Sequence, residues 1–300
     1  MWPGLCAKFV AGKSILIPRC GPVEAGDPQR ILDPPDPCPN LGDPMAELSG
    51  KEIRRLIREG SWEGGTVGRA GRLVQTGLVV LPESLAGDFA RFCDTNPRPC
   101  PLLEVTDPGD PVPRQLAPGA DIRRELGSYT IWRHGEAVEV VAEIGGLWRE
   151  DSVAFMIGSS LTFSHALEAA GCRSSTGISM YRTTLPCTAA GPFAGSMVVT
   201  MRTLPAELVA TAVRVTKRFP KAHGAPIHVG DPADIGIHDL SDTFDAGPPP
   251  RIPRSHESLF WGCSVTPQLI AREAKIGFMI THSPGHGFVT DLSDSDLEVA

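Results

Sequence analysis

Two nine-residue stretches, "FMIGSSLTF" at 155 to 163 and "LFWGCSVTP" at 259 to 267, follow one pattern: an apolar run, a Gly, a small pair, an apolar residue and then Thr. Each apolar run is short enough to be a buried strand, and the Gly with its small neighbours ends it. The Thr that follows opens a helix, and Pro267 suits the first helical position. A chain that does this twice is constrained to place two strand-turn-helix units in one fold, so the class expected is α/β. In open α/β sheets such turns lie where ligands bind, and a helix amino terminus offers N–H groups to an anion. Ser159 and Ser160 on the first turn, and Cys263, Ser264 and Thr266 on the second, are therefore candidate ligand-facing residues. The alternative is a pair of ordinary strand-to-helix connections.

The remaining pattern supports alternation. In "ELSGKEIRRLIREG", Ser49 and Glu52 form a capping box, Ile53, Leu56 and Ile57 share one helical face, and Gly60 stops the helix. "GLVVLP" reads as a buried strand and "SLAGDFARFCDTN" as a short helix, followed by a proline-rich bend from Pro97 to Pro118. "YTIWRHGEAVEVV" alternates about His134-Gly135 as a hairpin does. "SMVVTMR", "PAELVATAVRVTKRF" and "APIHVGD" read as a β-α-β run. Residues 1–44 hold nine of the 29 prolines and show no periodicity, so they are expected to be a disordered leader, with Met45 an alternative start.

Charge narrows the partners. A net charge of −7, with no Lys/Arg run longer than a pair, disfavours nucleic acid and anionic membranes and leaves a small molecule as the ligand. No window reaches the length of a membrane span. The eight cysteines form no CxxC and no zinc spacing, so reduced thiols of a cytoplasmic protein are expected, with Cys100 and Cys187 in loops. Lys8, Lys13 and Arg19, without an acid in the first 22 residues, keep a mitochondrial presequence as the runner-up. A homo-oligomer is left open.

The chemistry concentrates in "THSPGHGFVTD", residues 281 to 291. Pro284 and Gly285 forbid the helix that a zinc-binding His pair would need, and no Glu follows His282. A strand running into a tight turn instead places His282 at its end and returns His286 over the same spot, with Asp291 to fix a tautomer. A second set, His223, His228 and Asp231 in "HGAPIHVGDP", surrounds another short strand; a core histidine and an ordinary Asp-Pro turn explain it equally well. Arg182 in "SMYRTTLPC" is the candidate clamp for a carboxylate, with Arg69 and Arg72 weaker candidates. No metal and no cofactor are expected.

Taken together, "RPCPLLEVTDPGDP", "ADIRREL", "LWREDSVAFMIGSS", "AGPFAGSMVV", "RFPKAHGAPIHVGDP", "FWGCSVTPQ" and "THSPGHGFVTD" resemble the signature blocks of the D-glutamate cyclase family, from about Gly64 to Asp291. The resemblance implies a mixed sheet flanked by helices, about 60–170 and 226–291, with a second, smaller α+β part at about 172–225. It also implies a reversible reaction in which D-glutamate loses water to give 5-oxo-D-proline. On that chemistry, His282 and His286 suit the proton steps. The turn amides near Ser159 and Cys263 suit an oxyanion or the α-carboxylate, Arg182 suits the α-carboxylate, and Asp231 or Asp291 would orient a histidine. His228 and His223 complete the candidate set. The chain departs from the family pattern at Ser159 and Ser164, where Cys and Glu are usual, and at Thr184, where Asn is usual. A member that only binds a small carboxylate, or one that dehydrates a different acid, is the alternative those departures leave.

Overall fold

The computed structural model describes residues 5–10, 13–18, 48–174, 177–244, 250 and 252–300. Within the expected leader, β1 (Leu5–Val10) and β2 (Lys13–Pro18) pair as an antiparallel hairpin; the other leader residues lie outside the described ones. The body begins with α1 (Gly50–Arg58), whose Ser49–Glu52 capping box forms as expected. There follow β3 (Leu73–Pro82), α2 (Glu83–Thr95), β4 (Leu102–Val105), β5 (Tyr129–Arg133), β6 (Glu136–Val141), β7 (Ser152–Gly158) and α3 (Ser164–Ala169). Next come β8 (Ser179–Pro186), β9 (Ser196–Pro205), α4 (Val209–Lys217), β10 (His228–Val229), β11 (His256–Gly262), α5 (Thr266–Glu273), β12 (Met279–His282) and β13 (Phe288–Ser293).

The large sheet runs β4-β7-β3-β12-β5-β6, with β13 also paired to β3, and the smaller sheet runs β10-β11-β9-β8. The second, smaller part is therefore larger than 172–225: β10 and β11, up to Gly262, belong to it rather than to the main sheet. Every pairing among the described residues is antiparallel, where a mixed sheet is expected. The reason lies in the crossovers. β3, α2 and β4 form a β-α-β unit whose parallel strands are separated by β7, and β9, α4 and β10 form another with β11 inserted.

These two units are copies of one design. Leu81-Pro82 and Leu85 in the first correspond to Leu204-Pro205 and Leu208 in the second, and "NPRP" corresponds to "FPKA". Their helices are exchanged: α5, which follows β11, packs Ile270 and Ala271 with Phe89, Phe92 and Phe155 of the first unit. Likewise α3, which follows β7, packs Leu167 with Ala212, Val215 and Trp261 of the second. The strand ends interlock as well. A Cβ on Gly158 would strike the Lys221 carbonyl, and one on Gly262 would strike the carbonyl of Arg98, its counterpart, so each turn needs its glycine for close backbone approach. Between them the His223 Nδ1–H donates to the Arg98 carbonyl at 2.7 Å while Arg98 Nε donates to the His223 carbonyl at 3.1 Å.

Candidate active site

β12 and β13 are one strand interrupted. Thr281 pairs with Val79 and Phe288 pairs with Thr76, so the segment "SPGHG", residues 283–287, bulges out opposite Gly77. An insertion of this size is how a sheet re-aims a side chain. The bulge is braced from both sides. The Thr66 amide donates to the Gly285 carbonyl at 2.9 Å, and the Thr66 hydroxyl accepts from the Gly287 amide and donates to the Gly287 carbonyl. On the other flank the Ser283 amide donates to the Ser128 carbonyl, and the Ser283 hydroxyl sits 2.9 Å from that of Ser128 and 3.1 Å from that of Thr130.

Because the ladder breaks here, the Leu78 amide is satisfied by a side chain: it donates to His282 Nδ1 at 3.1 Å. The same Nδ1 lies 3.4 Å from the Leu78 carbonyl, but the amide is the nearer partner, and an Nδ1 that accepts from it leaves the proton on Nε2, so His282 is a neutral imidazole presenting an N–H. Burial supports that state: desolvation first, and the neighbouring His286 second, bring its pKa down to about 4. His286 has the opposite tautomer. Its Nδ1 lies 3.0 Å from the Pro284 carbonyl, which can only accept, so Nε2 carries the lone pair. Its pKa is also lowered, first by burial. The bulge thus holds one imidazole that donates and one that accepts.

Gly77 supplies the room. A Cβ there would lie 3.0 Å from His282 Cε1 and 3.0 Å from both Cβ and Oγ of Ser264, so the missing side chain lets the second turn reach the histidine. α5 completes the contact, with Gln268 Nε2 donating to the His282 carbonyl at 3.1 Å. The turn's own amides are less available than expected: Thr266 N–H donates to the Cys263 carbonyl and Gln268 N–H to that of Val265. The Ser264 hydroxyl, beside His282 across Gly77, is a further donor of this turn. The Thr266 hydroxyl is occupied by the Cys263 carbonyl and the Val198 backbone, and the Cys263 thiol points to Met180 Sδ at 3.7 Å, so both tie the turn to the smaller sheet.

Other expected residues stand elsewhere. Asp291 fixes no histidine tautomer; it is held by Arg54 at 2.9 and 3.2 Å, because β13 turns that residue toward α1. His228 is stacked against Phe260 and bonded to the Asp231 carbonyl, while the Asp231 carboxylate caps the Ala233 amide, so the two form a local turn structure. His223 is fully buried at the interlock, its pKa pushed down to about 4 by desolvation. Arg182 lies on the outer strand β8 with its guanidinium 5.5 Å from the Phe244 ring centroid, beside His238, Asp239 and Asp242. Arg69 stacks on Trp62 and Arg72 pairs with Asp294.

The first turn is filled. Arg202 Nη2 donates to the Ser160 carbonyl at 3.0 Å and to the Ser164 hydroxyl at 2.9 Å, with its guanidinium over Phe163 and Trp261. The Ser159 hydroxyl accepts from the Leu161 amide, 3.3 Å away. Cys93, Cys100, Cys172, Cys187 and Cys263 are buried thiols; Cys100 and Cys187, although in connecting segments, pack in the core with Cys93. Among the described residues no cluster of three metal-ligating side chains occurs, and no helix is long and apolar enough to cross a membrane.

Sequence reasoning passed over Thr66, Gly77, Gln268 and Arg202. The signal for Gly77 and Arg202 is the internal repeat: at the spacing that aligns Leu81-Pro82 with Leu204-Pro205, Gly77 falls on Thr200 and Val79 on Arg202.

Comparison with known proteins identifies a family. The D-glutamate cyclase family model matches residues 153–291, a span that contains both turns and the bulge. A protein of Geobacillus kaustophilus is 48% identical over 259 residues, covering 85% of this chain and 98% of its own length. One from Stutzerimonas stutzeri is 46% identical over 258 residues (84% and 97%), and one from Bacillus subtilis is 45% identical over 257 (84% and 100%). All three carry the name "Putative hydro-lyase". In structure, a nitrogen repressor-like protein from Methanococcus jannaschii aligns with 84% of this chain and 98% of its own at 8% identity and a TM-score of 0.36, too loose a likeness to carry an argument.

Proposed function

Because the chain belongs to the D-glutamate cyclase family of hydro-lyases, we propose that it interconverts D-glutamate with 5-oxo-D-proline and water at the bulge opposite Gly77. The observation that carries this reading is His282, whose Nδ1 accepts from the Leu78 amide, set beside Ser264 across Gly77, with His286 in the opposite tautomer on the same bulge.

Ring closure joins the α-amino nitrogen to the γ-carboxyl carbon of one molecule, so little translational entropy is lost. The difficulty is moving protons. The ammonium nitrogen must lose two, and the departing oxygen must gain two to leave as water. His286 Nε2, unprotonated, takes the first proton and frees the nucleophile. As the nitrogen attacks, negative charge gathers on the carboxyl oxygens, and His282 Nε2–H with the Ser264 hydroxyl donates to them. Burial keeps both rings neutral at pH 7, so their tautomers divide the work: His282 offers an N–H and His286 a lone pair. His286 returns the first proton to a carboxyl oxygen and, unprotonated again, takes the second from the ring nitrogen and passes it to the same oxygen, which leaves as water. In the reverse direction the same groups deliver water to the lactam.

The test is chiral chromatography of D-glutamate and 5-oxo-D-proline after incubation with the purified chain. Interconversion that is lost in both His282→Gln and His286→Gln supports the reading. A folded wild-type protein that converts neither compound refutes it and favours a carboxylate-binding relative without turnover.

A further inference from the structure

One side chain at the bulge is left incomplete. Gln75 lies on β3 two residues before Gly77, on the same face of the strand, and pairs with Val289 just beyond the bulge. It is 4% exposed, and its Oε1 is buried without a hydrogen-bond partner. The amide oxygen stands 3.0 Å from where a Cβ on Gly287 would be, so it abuts the bulge at the residue after His286. A buried carbonyl oxygen left unpaired has lost its water without replacement, and such a group calls for a partner. An acceptor in this place takes an N–H or O–H, not a carboxylate.

We propose that Gln75 is the specificity-determining residue for the substrate's amino group, its Oε1 accepting from the nitrogen that His286 deprotonates. The identity of that donor rests on the cyclase reading above. The choice of an amide follows from the chemistry. A carboxylate at this position would stabilise the ammonium and hold the nucleophile in its unreactive state, whereas a neutral acceptor orients the nitrogen without opposing loss of its proton. The residue would therefore separate an amino diacid from the same diacid without the amine.

The experiment measures the affinities of D-glutamate and glutarate by calorimetry for the wild type and for Gln75→Met, which keeps length and removes the acceptor. The expected result is a preference for D-glutamate in the wild type that falls roughly tenfold in the variant, the worth of one hydrogen bond, while glutarate binding is unchanged. Should the methionine variant not fold, Gln75→Glu gives the opposite sign: the preference for the amino acid rises while turnover falls. The proposal is overturned if both affinities drop together, as a bracing role for the bulge would give, if the ratio stays constant, or if the wild type binds neither acid. Binding with the expected ratio but no conversion would reject the cyclase reading and leave the role of Gln75 standing.

Discussion

The turn after β7 and the turn after β11 are built alike, yet only one is open to chemistry. Each ends a buried strand on a glycine pressed against the opposite unit, and each presents a serine, Ser160 or Ser264, toward the central strand of the other's copy. Facing Ser264, that strand carries Gly77 and the interrupted pairing that swings His282 inward. Facing Ser160, the equivalent strand carries Thr200 and Arg202, and the arginine occupies the space and the polar groups of the turn. The motif is therefore a joint that both units need, and function depends on what the neighbouring strand omits. An imidazole and a hydroxyl meet where a side chain is missing.

That contrast can be broken from either side. The largest effect is expected from the histidines: His282→Gln or His286→Gln should lower turnover by about 10²- to 10⁴-fold with thermal stability near that of the wild type, as kinetics and calorimetry on the same preparations will show. Ser264→Ala should cost about 10²- to 10³-fold in kcat with little change in KM, because its donor matters most as charge develops. Ser160→Ala, on the filled turn, should leave both constants unchanged, and a comparable loss there would erase the distinction.

Acid stability gives a smaller effect that treats the two units equally. His223 and His282 are both buried with pKa values near 4, against about 6.5 in the unfolded chain. The unfolded state binds the extra protons, so the stability these residues contribute is complete above pH 6.5 and is lost as pH falls through 4, about 3 kcal/mol for each. Denaturant titrations between pH 7 and 4 should show this slope, reduced by about half in either His→Gln variant. The acid limb of kcat/KM should lie below 6.5, because burial lowers the pKa of His286.

Much of the fold was legible because periodicity and caps report local structure: the Ser49 box, the strand before Pro82 and the hairpin at His134-Gly135 all stand where their residues predict. The antiparallel insertion of β7 and β11 was not, since strand order depends on contacts between residues some 50 to 80 positions apart. At the site, His282, His286 and Ser264 were visible as reactive types near turn signals. Asp291 misled because nearness in sequence says nothing about the face of a strand, and β13 turns that carboxylate toward Arg54. Gly77 and Gln75 escaped notice for the converse reason: an absent side chain and a lone amide within an apolar strand carry no motif, and only the bulge opposite gives them meaning.

The most direct test exchanges the feature that separates the two turns. Gly77→Thr installs the residue of the filled unit where the open one has none, and Arg202→Met empties the filled one. The two variants are assayed together for conversion of D-glutamate to 5-oxo-D-proline. The account predicts that Gly77→Thr abolishes turnover, while Arg202→Met retains it and loses about 1–3 kcal/mol of stability from the groups it leaves unpaired. Turnover that survives Gly77→Thr and disappears in a folded Arg202→Met would place the chemistry at the other turn and contradict it.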